Sequence, residues 1–227
     1  MNLAARLLNT GAHALHAWLD RVGEIVPGTR AAARFGSFGA ASCIDFPVAS
    51  LVNPHAIHLG SGVLVGRQAT LSVGYGPDDH GVPERALVIG DRSLIGARSS
   101  LTAHSSIEIG ADVFFGQNVF VTDASHGYQQ PDVPVGRQFG PHDPVSIGAG
   151  SWIGHAAVVL PGAHLGRNVV VAAGSVVRAG EYDDHAVLAG NPARVVRRLE
   201  PGVGWVGSDG GVRPVLDHDP LAVPDAP

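Results

Sequence analysis

The sequence predicts an all-β fold, a parallel β-helix with an α-helix at its N-terminal side and a short helix near its C-terminal side, on three observations. An aliphatic or similar apolar residue recurs every six positions: Leu59, Val65 and Leu71; Ile89, Ile95 and Leu101; Ile109, Phe115 and Val121; then Ile147, Ile153, Val159, Leu165, Val171 and Val177. Glycine follows many of them, at Gly60, Gly66, Gly90, Gly96, Gly110, Gly116, Gly148, Gly154 and Gly166. Aromatics are only 6% of the chain although 45% is hydrophobic. Stacked aliphatic columns use that composition, whereas a sandwich wants aromatic bulk and period-two alternation.

In residues 1–30, Ala4, Leu8, Leu15, Trp18, Leu19 and Val22 fall near helical spacing, which predicts an amphipathic helix over 2–26 that ends before Pro27. It reads as a cap over the open end of a larger core, because basic residues are too sparse on it for a membrane-surface helix. Residues 31–190 form the repeat domain. Each side of a three-sided coil needs an inward aliphatic, a small residue at the narrow interior and turn-tolerant residues outside. Three hexapeptides make a coil of about 18 residues, and coils stack as parallel strands about 4.8 Å apart. The repeat breaks at 74–86 (GYGPDDHGVPERA) and at 127–146 (GYQQPDVPVGRQFGPHDPVS). A solenoid tolerates insertions only at its turns, and long loops on rigid scaffolds carry function. A short helix is expected at 191–199, followed by a Pro- and Gly-rich tail, 200–227, that reads as mobile or strapping.

Composition excludes several functions. The net charge is −5 and all 15 basic residues are arginine, so a broad nucleic-acid surface is not expected. Cys43 is the only cysteine, which rules out an internal disulfide, a thiolate metal cage and a CxxC redox pair. Residues 1–24 mix Arg6, Arg21, Asp20 and Glu24 among the apolar positions, so no membrane span or export signal is expected and the chain reads as cytoplasmic. Twelve histidines invite a metal reading, but only His55 and His58, or His13 and His16, stand three apart, with no third ligand in an obvious position. No metal is expected.

The hexapeptide repeats, the run VTDASHG at 121–127 ahead of a long loop, SWIGHAAVVLPGAHLGRNVVVAAGSVV at 151–177 and AGNPAR at 189–194 together resemble the hexapeptide-repeat acyltransferases. The likeness is to the branch holding maltose and galactoside O-acetyltransferases and polysaccharide-modifying relatives, and it covers about 59–199. It implies a left-handed coil, a homotrimer with active sites between subunits, and acetyl-CoA or another acyl-CoA as donor.

Acyl transfer from a thioester to a hydroxyl needs a general base, and imidazole titrates near neutral pH. The resemblance puts that base at His126, at the root of the long loop. Asp123 is the second candidate: it orients the ring or binds the acceptor, or else caps a turn through backbone bonds. By resemblance Trp152 flanks the donor or acceptor, His155 and Ala173 lie along the pantetheine path, and Arg178, Arg194 and Arg197 meet the phosphates, which guanidinium groups recognise through paired hydrogen bonds. Some sugar acetyltransferases of the family carry an Asn where this sequence has Gly96, so their acceptor specificity does not transfer. His104 stands one coil before His126 and either lines the same cleft or packs. Cys43, in ASCIDF with no adjacent His, reads as a small packed residue rather than an acyl nucleophile.

The expected function is an acyl-CoA-dependent O-acyltransferase, an acetyltransferase first of all, acting on a hydroxyl of a sugar, glycolipid precursor or polysaccharide unit. The alternatives are N-acetyl transfer to an amino sugar or xenobiotic, and a non-catalytic β-helix scaffold.

Overall fold

The computed structural model describes residues 3–216. Each coil runs through three short strands, and strands of successive coils stack in parallel into three faces. The first face holds Ser37–Phe38, Ile57–Leu59, Leu87–Ile89, Ile107–Ile109, Val145–Ile147, Ala163–Leu165 and Gly180–Tyr182. The second holds Cys43–Ile44, Leu64–Val65, Leu94–Ile95, Phe114–Phe115, Trp152–Ile153, Val170–Val171 and Ala186–Gly190. The third holds Ser50–Val52, Thr70–Val73, Ser100–Ala103, Phe120–Thr122, Val158–Val159 and Val176–Val177.

The six-step apolar residues are the interior: every one of them is 3% exposed or less. Their register stacks like on like, Leu71 on Leu101, Val121 on Val159 and Ile153 on Val171, so each face contributes one continuous column. The glycine after the aliphatic is explained by close approach at a corner. A Cβ on Gly116 would meet the backbone of the next coil, 2.6 Å from His155 N and 2.9 Å from its Cα. Buried serines tie coils together where the chain turns: Ser93 Oγ donates to the Gly110 carbonyl at 2.9 Å and accepts from Val113 N–H at 3.0 Å.

The coil length is not uniform. Ile147 stacks on Leu165, 18 residues on, whereas Ile89 stacks on Ile109, 20 residues on. The two extra residues sit in the turn after Ser100–Ala103, a corner that the six-residue count alone passes over.

The ends differ from expectation. The N-terminal helix spans Leu3–Gly23, close to the predicted range, but it does not cap the core: Leu7, Leu8, Leu15, Trp18 and Val22 are exposed. The core is approached instead by the segment after the helix. Ile25 bridges to Ile44, and Ile25, Ala32 and Phe35 are buried among the core residues. The helix expected at 191–199 is a strand, Ala193–Glu200, which returns antiparallel along Ala186–Gly190. The run ARVVRR sends Ala193 and Val195 toward the core and pairs a sheet edge that would otherwise stay open. The tail is likewise partly built: Gly204–Gly207 and Val212–Arg213 extend the same sheet, while 217–227 lie outside the described residues. No helix among the described residues is long and apolar enough to cross a membrane.

Candidate functional site

Chain order runs first face, second face, third face, and then round a corner back to the first. Both insertions leave from that third-to-first corner, 74–86 after Thr70–Val73 and 127–146 after Phe120–Thr122, so loops far apart in sequence share one edge of the solenoid. The longer one opens as an antiparallel ribbon, Ala124–His126 against Phe139–His142, with Ala124 opposite His142 and His126 opposite Phe139.

His126 is exposed, and its Nδ1 lies 3.3 Å from the Gln138 carbonyl oxygen. A carbonyl only accepts, so this contact calls for the proton on Nδ1 and leaves the Nε2 lone pair free. Gln138 is 8% exposed, and its side chain holds the loop to itself: Nε2 donates to the Gln130 and Val133 carbonyls at 2.9 and 2.7 Å, and Oε1 accepts from Gln130 N–H at 3.0 Å.

Asp123 lies 0% exposed, and its carboxylate accepts from His104 N–H at 2.8 and 3.1 Å, Ser105 N–H at 2.7 Å and Ser106 N–H at 2.8 Å. Of the roles expected for it, this is turn capping, across the enlarged corner of the preceding coil. Acceptor binding is corrected: a fully enclosed carboxylate committed to three backbone donors presents no oxygen to a substrate. Asp123→Asn, which replaces one acceptor oxygen by a donor and removes the charge, is expected to cost about 2 to 4 kcal/mol of stability, seen as a shifted denaturant midpoint.

His104 packs at the same corner. Its ring meets Tyr75 edge-on at 4.6 Å and His142 at 5.2 Å, and Nδ1 is buried without a hydrogen bond, 3.6 Å from Asp123 Oδ1. Tyr75, from the first insertion, donates or accepts at 2.5 Å with His142 Nε2 and meets the Phe139 ring at 5.0 Å. The two insertions thus touch each other. Tyr75, Gln138, Phe139 and His142 were not singled out by the sequence; the breaks in the repeat marked their loops but carried no sign of which side chains meet.

The residues expected along the donor path lie elsewhere, on the outside of the second face. Trp152 is half exposed there, in a groove of about 730 Å³ that includes Leu64, Leu94, Phe114, Gln117 and His155. His155 Nε2 is 3.3 Å from Asn118 Nδ2. Ala173 is exposed one coil further on, its backbone packed against Gly154. Beyond it a second cavity of about 620 Å³ is lined by Val170, Val187, Trp205, Arg197 and Arg213. Arg197 Nη1 donates to the Trp205 carbonyl at 3.2 Å. Arg178 and Arg194 do not line that cavity; Arg194 Nη1 donates to its neighbour's carbonyl, Ala193 O, at 2.9 Å. Arg213, in the tail, was not anticipated as part of a charged end.

Trp152 and His126 therefore stand on opposite sides of one chain, since the third-to-first corner lies across the triangular section from the second face. Cys43 is half-buried beside Glu24 and Asp45; burial first, and then those two carboxylates, push its thiol above the ordinary range, so it stays protonated and a poor nucleophile. One possible ligand atom from each of Glu24, Cys43 and Asp45 lies within 4.8 Å of the other two.

Comparison with known proteins agrees with the repeat. A family model described as bacterial transferase hexapeptide (six repeats) matches residues 144–179, and one described as hexapeptide repeat of succinyl-transferase matches 86–123. The putative lipopolysaccharide biosynthesis O-acetyl transferase WbbJ of Escherichia coli is 37% identical over 87 residues, 35% of this chain and 44% of that protein. The putative acetyltransferase YJL218W of Saccharomyces cerevisiae is 45% identical over 56 residues, 25% of this chain and 28% of that one. The chain thus spans less than half the length of these relatives. In fold it is similar to AntD, an N-acyltransferase from Bacillus cereus solved with dTDP and coenzyme A, with a TM-score of 0.61 and 21% identity over 76% of this chain and 90% of that one. In its repeat and in its fold, the chain is a hexapeptide-repeat protein whose resemblance is to the hexapeptide-repeat acyltransferases.

Proposed function

We propose that the protein is an acyl-CoA-dependent O-acyltransferase, an acetyltransferase first of all, that acts on a hydroxyl of a sugar, glycolipid precursor or polysaccharide unit. The observation that carries the reading is His126, exposed at the root of the long insertion with Nδ1 against a carbonyl and Nε2 free. In this reading Nε2 takes the proton of the acceptor hydroxyl as its oxygen attacks the thioester carbonyl carbon. The carbon–sulfur bond breaks, and the imidazolium returns the proton to the departing thiolate, so ester and free thiol form with no net proton change. The Gln138 carbonyl accepts from the Nδ1 proton throughout.

The donor lies on the second face, its pantetheine arm along Trp152, His155 and Ala173 and its phosphates toward Arg197 and Arg213, with Arg194 beside them; Arg178, between Val176–Val177 and Gly180–Tyr182, stands at the third-to-first corner and would reach the donor only from the facing copy. From Leu94 to Val187 is four strand steps, about 19 Å, a length suited to an extended arm. Because the base and this groove face opposite ways, the working site joins His126 of one copy to the groove of another, which is the homotrimer of left-handed coils that the resemblance implies. We place the enzyme in the cytoplasm, where acyl-CoA is available, and divide it as a 1–30 helical segment, a 31–190 catalytic domain, and the return strand and tail that follow.

Calorimetric titration with acetyl-CoA tests the donor half without knowledge of the acceptor. The protein is expected to bind saturably and Arg197→Ala about tenfold or more weakly, the loss of a charge-assisted phosphate contact. Absence of binding by an intact oligomer would leave the scaffold reading in its place. A panel of hydroxyl and amino acceptors then separates O- from N-transfer.

A further inference from the structure

We propose that Gln138 is the positioning residue for His126: its side chain fixes the second insertion so that its own backbone carbonyl holds the imidazole in the Nδ1–H form. The inference rests on the reading of His126 as the base. Gln138 is an amide in the middle of a long loop, yet it is buried and its side-chain oxygen and nitrogen meet three loop backbone groups, at 2.7 to 3.0 Å. Such a group organises a segment that has no hydrophobic core of its own. Its carbonyl receives two donors at the base itself, Gly127 N–H at 2.9 Å and His126 Nδ1 at 3.3 Å. One residue therefore couples the shape of the loop to the tautomer of the ring.

The arrangement is held at its other end independently. Tyr75 reaches from the first insertion to His142 Nε2 at 2.5 Å, and its ring packs edge-on against Phe139, the residue opposite His126 in the ribbon. A change at Gln138 thus loosens the end of the ribbon near the base and leaves the end near His142 anchored to the first insertion. Nothing in this assignment asks Gln138 to touch substrate; it acts through His126.

The test is nitrogen-15 NMR of the full chain carrying labelled histidine, with the His126 signals identified by their absence in His126→Ala. His126 of the unaltered protein is expected in the Nδ1–H form. In Gln138→Ala the carbonyl is no longer pinned, and His126 is expected to move to a mixture with the Nε2–H form that an unconstrained histidine side chain prefers. Gln138→Glu keeps the shape of the side chain, loses both amide donors, and is expected to shift the ring in the same direction should the alanine variant fold poorly. A ring that stays wholly Nδ1–H in a folded Gln138 variant overturns the positioning role and leaves the base assignment intact. Normal turnover in His126→Ala does the reverse, whatever the tautomer.

Discussion

His126→Ala is expected to lower turnover by about 10² to 10⁴ while acetyl-CoA affinity and assembly stay unchanged. The size follows from what the ring does in the proposed reaction: there it shares the acceptor proton in the transition state and hands it to the leaving thiolate, and water in the vacated space does both poorly. The specificity of the loss follows from where the ring sits. His126 is exposed on a ribbon outside the solenoid, so its removal opens no cavity in the stacked columns. The groove proposed for the donor lies on the second face and does not include it. Thiol release from acetyl-CoA, followed with an accepted hydroxyl compound, measures turnover, and calorimetry measures donor affinity in the same sample. Turnover within a fewfold of the unaltered enzyme would remove His126 from the chemistry, and weakened donor binding with proportionate loss would make it a binding residue instead.

The solenoid was legible because its physics is periodic. Each six-step aliphatic faces inward for the same reason as the one a coil earlier, so the stacked pairs Ile147 and Leu165, Ile153 and Val171, and Val159 and Val177, each 18 residues apart, can be read from spacing alone. The places where spacing failed are those where local sequence is outvoted by a distant partner. Residues 191–199 have the charged, aliphatic look of a helix, but Ala186–Gly190 offers an unpaired edge and the segment lies along it as a strand. The N-terminal helix was read from its apolar stripe, yet the residues buried against the first coils come after it, Ile25, Ala32 and Phe35, whose contacts no periodicity announces. At the candidate site, His126 was singled out through motif and position. Asp123 was named beside it, but its commitment to capping depends on three N–H groups some 17 to 19 residues earlier in the chain, which only the stacking of coils brings to it. Gln138 and Tyr75 carry no local signature at all, since their meaning comes from two insertions sharing one corner.

Two inactive variants, His126→Ala and Ala173→Trp, are expected to restore each other when co-expressed, and this is the sharpest consequence of the geometry. Ala173 is exposed at the corner of the second face, so a bulky replacement is tolerated by the fold while it fills the proposed donor path. Each variant alone lacks one half of every site: the first has grooves without a base, the second has bases without a groove. In a closed assembly formed at random from equal amounts, the base at an interface is intact half the time and the facing groove half the time. About one quarter of interfaces then hold both, whatever the number of subunits in the ring. Co-expressed protein should show roughly a quarter of normal turnover, against almost none for either variant purified alone or for the two mixed without subunit exchange. A site contained within one chain predicts something different, because no subunit in the mixture carries both intact halves, and activity would stay at the level of the separate variants. The experiment therefore decides whether the width of the solenoid between His126 and Trp152 is bridged by assembly, which is the one arrangement in which both can act on the same thioester.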